Sequence, residues 1–273
     1  MIKYVYPKFD GIDLFFFRIG GSGLGNLLFP FFRALVYAKN YNLKIISPTF
    51  RSIKLGPYLR NEKQKRSYNY DYNKSIRGLH RLFLLIFFSK AEEIKLESKI
   101  LIFKSFGDGF NSLYGFEDYL KEQLSSLLDT KINFEDFKES ICCHIRLGDF
   151  KSPENNVINN NTRITISWYI QVINKLREKE PLKVFIFTDG KKNELSDILK
   201  LENCNVESSS EPIIDILKLS SSKYFIGSFS SFSMWASFFS SGDCIWHEEA
   251  FNKNDFPLNS NNYILKNREL LKV

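Results

Sequence analysis

From residue 140 onward the chain alternates short apolar runs with helix-periodic segments, and this rhythm limits the possible folds more than any other feature. Residues 141–146, 184–188, 205–207, 224–227 and 244–246 read as strands, the last closing the series. Between them, helices are predicted from a Ser167 cap to about Lys179, then over 194–201, 212–220 and 230–239, with Pro212 at a tolerated first-turn position. Alternating strands and helices imply a parallel sheet covered on both faces, an α/β fold.

The N-terminal half is less regular. Residues 14–19 read as a first strand, interrupted by Arg18 and running into Gly20-Gly21-Ser22-Gly23-Leu24-Gly25-Asn26. Helical spacing follows over 27–41 (Leu28, Phe31, Phe32, Leu35, Val36), then a second strand over 44–47. Further on, 68–72 resembles a loop, 76–94 an amphipathic helix, 100–103 a strand, 116–128 a helix and 155–161 an Asn-rich loop. A boundary near 138 gives domains of 1–138 and 139–273, the C-terminal tail packing back on the first domain.

The net charge of +7 is local: residues 54–104 carry 12 Lys/Arg against 5 Asp/Glu, and the remainder is near neutral. With no zinc-finger or RNA-binding signature, no nucleic-acid partner is expected. Residues 74–90 place seven apolar residues (82–88) between cations, which suits either an anionic membrane surface or a core helix with solvated ends. That run is far shorter than the roughly 20 residues a spanning helix needs. The four cysteines show no Cys-X-X-Cys and no even spacing, and the N-terminus has acids before its apolar run. A reducing, cytoplasmic location is expected.

The densest chemistry is Cys143-His144-Ile145-Arg146-Leu147-Gly148-Asp149. On a strand, His144 and Arg146 point to one side, and the carboxyl end of a strand is where open α/β sheets bind ligands. The arginine fork suits a phosphate or pyrophosphate; alternatively an Arg146–Asp149 pair only staples a loop. The glycine loop departs from Gly-X-Gly-X-X-Gly, because Asn26 stands at the third glycine, and Ser47-Pro48-Thr49 offers no acid for a ribose. It is either a close backbone approach to a ligand or a tight turn needing positive φ. Asp189, at a strand end before Gly190, suits ribose hydroxyls, a purine edge or a turn cap. The run Ser228-Phe229-Ser230-Ser231-Phe232-Ser233 suits an anion site at a helix start, where a single N-cap would explain one serine. No Asp-X-Asp, Gly-X-Ser-X-Gly or Gly-Lys-Ser/Thr occurs, and the three histidines are scattered, so no metal site is expected.

In order, GGSGLGNLLFPFFRAL (20–35), CHIRLGDF (143–150) and DILKLSSSKYFIGSFSSFSMWASFF (215–239) resemble the α-1,2-fucosyltransferases of bacterial glycan synthesis and the wider superfamily with α-1,6- and protein O-fucosyltransferases. The resemblance implies two Rossmann-like domains facing across a cleft (GT-B type), GDP-fucose as donor and no cofactor. It implies that Arg146 holds the donor pyrophosphate with support from His144, that Asp215 contacts the guanosine, and that Ser230, Ser231, Phe232 and Ser233 cradle the β-phosphate. Gly25 and Asn26 would act from across the cleft, and Asp149 is the candidate general base. The implied reaction is inverting transfer to a hydroxyl of an oligosaccharide or lipid-linked glycan, with α-1,2 linkage, in surface polysaccharide or O-antigen synthesis. Transfer of another GDP-sugar and a non-catalytic nucleotide- or glycan-binding role are the alternatives. The chain departs from the pattern at Leu147 (a second arginine elsewhere), Leu27 (glutamine), Gly190 (a second aspartate) and Met234 (tryptophan).

Overall fold

The computed structural model describes residues 2–53, 68–88, 90–92, 99–130, 132–152, 162–207, 211–251, 256–257 and 261–273. The chain divides into two compact units between Asp129 and Thr130.

In the first unit, strands β1 (Tyr4–Pro7), β4 (Lys44–Ile45), β6 (Lys90–Glu92) and β7 (Ile100–Phe103) form a parallel sheet in the order β4-β1-β7-β6. Helix α1 (Leu24–Tyr41) packs on β1 and β7 and buries Leu28, Phe31, Phe32 and Leu35, as its spacing predicts. A small second sheet joins β2 (Ile12–Asp13), β3 (Arg18–Ile19) and β5 (Ser52–Ile53). The sheet strand is thus β1, not 14–19. Asp13 accepts the Phe15 amide at 2.9 Å, Phe15 takes φ 66°, and the chain turns instead of extending. Helix α2 (Gly78–Phe87) is shorter than 76–94, because residues from Lys90 pair with β7. Helix α3 (Glu117–Ser125) follows.

The second unit starts with α4 (Glu135–Lys138), whose Phe137 is buried among Cys142, Phe187 and Phe225. This packing joins α4 to the core of the second unit. Strands β8 (Ser140–Ile145), β9 (Lys183–Thr188), β10 (Cys204–Glu207), β11 (Tyr224–Ile226), β12 (Asp243–Trp246), β13 (Asn261–Lys266) and β14 (Glu269–Lys272) form one sheet, in the order β10-β9-β8-β11-β12-β13-β14. All neighbours are parallel except β13–β14. The C-terminal residues complete this sheet: β13 covers the open edge of β12, and β14 closes the hairpin.

Alternate residues of β8 point to opposite cores. Ile141, Cys143 and Ile145 meet helix α5 (Ile166–Arg177) through Tyr169, Val172 and Ile173. On the other face, Cys142 meets Leu219 of helix α6 (Pro212–Leu219) and Ala236 of helix α7 (Ser231–Phe238). Helix α5 starts from Thr165 rather than Ser167, and 194–201 forms two 3-10 turns, Lys192–Leu195 and Ile198–Lys200. The Asn-rich segment 155–161 lies outside the described residues. Numbered along the chain from β8, the parallel strands run 3-2-1-4-5-6. The order reverses between β8 and β11, the topological switch point where such sheets open a ligand crevice at their carboxyl ends.

Candidate active site

His144 and Arg146 follow one another at the carboxyl end of β8, and the serine run starts just beyond the end of β11, its neighbour across the switch point. His144 is buried. Its Nδ1 lies 2.7 Å from Ser233 Oγ and 3.0 Å from Ser228 Oγ, and its ring sits 4.8 Å from that of Phe232. Burial, reinforced by the Arg146 cation and opposed by Asp189, lowers its pKa to about 3, so the imidazole is neutral at neutral pH. Tyr169 donates its hydroxyl proton to the His144 carbonyl at 3.2 Å.

The serines form a local network around this ring. The Ser228 amide donates to Ser233 Oγ (3.1 Å), and the Ser233 amide donates to Ser230 Oγ (3.3 Å), making Ser230 the N-cap of α7. The resemblance has Ser233 cradling a phosphate, but its side chain is fully buried and committed to His144 and Ser228. It shapes the turn, leaving Ser230, Ser231 and Phe232 as the half-buried members. Ser228 and Tyr169 join the site through His144; the serine run signals the first, and nothing local signals the second. Gly227 lets the turn approach the sheet: a Cβ there would lie 2.2 Å from the Trp246 ring.

Arg146 lies in the loop after β8, with its fork between two carboxylates. One nitrogen donates to Asp189, the other to Asp149 at 2.5 Å. The second oxygen of Asp189 accepts the amides of Leu147 (2.9 Å) and Gly148 (3.1 Å). The loop staple foreseen for Asp149 is therefore present, and Asp189, 43 residues away in sequence, is the stronger anchor. Asp189 is 7% exposed and tied to backbone; Asp149 is 35% exposed. Of the two carboxylates on Arg146, Asp149 is thus the more open to solvent. Leu147 and Gly190, two of the departures, touch: a Cβ on Gly190 would fall 2.3 Å from Leu147 Cδ1. A hydrocarbon packed on a glycine stands where the related pattern has an arginine and an aspartate.

Asp215 is buried on the first turn of α6, which packs on α7. Gly25 and Asn26 belong to the first unit, on the first turn of α1. There Gly20 and Gly21 take φ of 74° and 88°, and Asp10 accepts the amide (2.9 Å) and hydroxyl (3.0 Å) of Ser22. A Cβ at Gly21 would meet the Asp10 carbonyl at 2.6 Å, so this part of the loop is a tight turn that requires glycine. Among the described residues, no group of three or more His, Cys, Asp or Glu side chains could hold a metal ion, and no helix is long and apolar enough to cross a membrane.

Fold and site define an α/β protein with an arginine fork and a capped helix start flanking the switch point of a doubly wound sheet. The chain belongs to glycosyl transferase family 11, whose model matches residues 87–267 and so covers both C-terminal motifs. It is a glycosyltransferase of the family its motifs resemble. No curated protein matches it in sequence. Similar solved structures include the NodZ α-1,6-fucosyltransferase soaked with GDP-fucose (12% identity, 88% of this chain and 93% of that chain, TM-score 0.47). The fucosyltransferase NodZ from Bradyrhizobium (12%, 86% and 91%, 0.46) and POFUT1 in complex with GDP (12%, 89% and 98%, 0.45) are also similar.

Proposed function

We propose that this glycosyltransferase moves fucose from GDP-fucose to a hydroxyl of a glycan acceptor, with inversion and α-1,2 linkage, in the synthesis of a surface polysaccharide or O-antigen. The observation that carries the reading is the placement of Arg146 and the α7 start just beyond the ends of adjacent strands, β8 and β11, at the switch point. The donor diphosphate takes the Arg146 fork from Asp149 and lies against the Ser230–Ser231 helix start. As the bond from the anomeric carbon to the phosphate oxygen breaks, negative charge grows on GDP, where the guanidinium and the helix amides stabilise it. The acceptor oxygen forms the new bond, and its proton passes to Asp149, released from the arginine. Asp189 keeps the fork aimed, neutral His144 holds the serine turn, and Asp215 reads the guanosine. Gly25 and Asn26, at the start of α1, also bind the donor. The protein acts in the cytoplasm, at the inner face of the membrane, where lipid-linked acceptors are reached.

Calorimetry with GDP, UDP and ADP, with and without chelator, tests the donor; GDP alone binds, and chelator changes nothing. In the transfer assay, Arg146→Ala folds and loses activity. A folded Arg146→Ala variant with full activity refutes the site. A second reading rests on the Leu147–Gly190 contact, which replaces charge with hydrocarbon beside Arg146. On that reading the protein binds GDP-fucose but releases no GDP.

A further inference from the structure

Helix α2 carries its apolar residues on the wrong side for a core helix. Arg81, Leu84 and Leu85 face inward, while Leu79 is 83% exposed, Phe87 71%, and Phe83 and Ile86 are also exposed. A helix packed on a globular core turns polar residues to solvent. Here positions i, i+4, i+7 and i+8 form an outward apolar stripe, with the Phe83 ring 5.0 Å from Phe87 and 5.9 Å from Phe88. A second exposed apolar element is tied to this helix. From α2, Arg81 donates to the Phe15 carbonyl, to Thr49 Oγ1 (2.7 Å) and to Asp13 Oδ2 (3.1 Å). This buried clasp holds the β2–β3 turn, residues 14–17, against the helix, and there Phe16 is 74% exposed beside Leu14 and Phe15. Cations rim the surface: Arg77 at the helix start, Lys90 beyond its end, and Lys99 with its ammonium 4.8 Å over the Phe88 ring.

Large exposed apolar patches on folded domains mark interaction surfaces. We infer that α2 and the 14–17 turn together form a docking surface for an anionic bilayer. Phe16, Leu79, Phe83, Ile86 and Phe87 enter the boundary between headgroups and acyl chains, and Arg77, Lys90 and Lys99 lie at the phosphates. The cationic rim selects this occupant. Anionic headgroups complement it, whereas a two-fold contact with a second copy sets the rim against itself. The inference extends the membrane contact proposed above from one helix to two clasped elements. Its test needs neither donor nor acceptor, so it fails or stands separately from the transferase reading.

Flotation of the full chain with phosphatidylcholine vesicles, with and without phosphatidylglycerol, measures it. The wild type floats with the anionic vesicles, and added salt weakens binding without abolishing it. The double variant Phe16→Ser/Phe87→Ser, both positions being exposed, keeps its circular dichroism and its thermal unfolding transition, and partitions at least about tenfold less. Wild type that stays with the soluble fraction at low salt overturns the inference, as does a double variant that floats equally well. A stable dimer in sedimentation equilibrium that the double variant dissociates also overturns it, because a second copy then covers the patch.

Discussion

Replacing His144 with Asn isolates the neutral imidazole at the centre of the switch point. The amide approximates the Nδ1 position that meets Ser233 and Ser228 but takes up no proton. In the folded wild type, burial above all, with help from Arg146 and against Asp189, holds the His144 pKa at about 3. In the unfolded chain a histidine titrates near 6.5. The unfolded state therefore binds a proton that the folded state refuses. The stability this provides is complete above about pH 6.5 and is lost as pH falls from there toward 3. The loss approaches about 1.4 kcal/mol per pH unit, reaching roughly 1.4 kcal/mol at pH 5.5 and roughly 2 kcal/mol at pH 5.0, relative to pH 7.5. His144→Asn is less stable at pH 7.5, since it loses the ring contact with Phe232. Its deficit shrinks by those amounts as pH falls, because carboxylates common to both proteins cancel in the difference. Urea unfolding followed by circular dichroism between pH 7.5 and 5.0 measures the gap directly. A gap constant to within about 0.5 kcal/mol across that range refutes the account, since His144 would then titrate alike in both states.

Asp189→Ala removes the acceptor of two loop amides and one of the two partners of Arg146. It costs about 2–4 kcal/mol in urea unfolding and weakens GDP binding in calorimetry, because the fork is no longer aimed. Asp149→Asn tightens GDP two- to fivefold, since a half-exposed ion pair that competes with phosphate is worth about 0.5–1 kcal/mol, while transfer slows at least about a hundredfold. Gly190→Ala forces Leu147 aside and destabilises the protein by about 1–3 kcal/mol; adding Leu147→Ala recovers part of this, so a double-mutant cycle shows coupling above about 0.5 kcal/mol.

The elements of the second unit were legible because their signals are local. Apolar runs of strand length, Pro212 at a helix start and Ser230 as a cap depend on near neighbours, and the helices at 212–219 and 231–238 start where those residues say. Where groups from other segments fix a side chain or cover an edge, local reading fails. Leu14-Phe15-Phe16-Phe17 has strand composition, but the Asp13 carboxylate, bonded to Tyr6 and Thr49, takes the Phe15 amide and turns the chain. Strand β13 offers only the three-residue run Tyr263-Ile264-Leu265 after two asparagines, and its place is set by pairing with the open edge of β12. The candidate site divides in the same way. The sequence by itself determined which residues stand at strand ends: His144, Arg146, Asp149, Asp189 and the serine run. Only the tertiary structure decided their partners. Sheet order sets β9 on one side of β8 and β11 on the other, giving Arg146 the carboxylate of Asp189 and turning His144 inward onto Ser233, 89 residues away. Periodicity is a property of neighbours along the chain. Which charge neutralises which, and which imidazole loses its water, depends on the packing of segments that no local pattern connects.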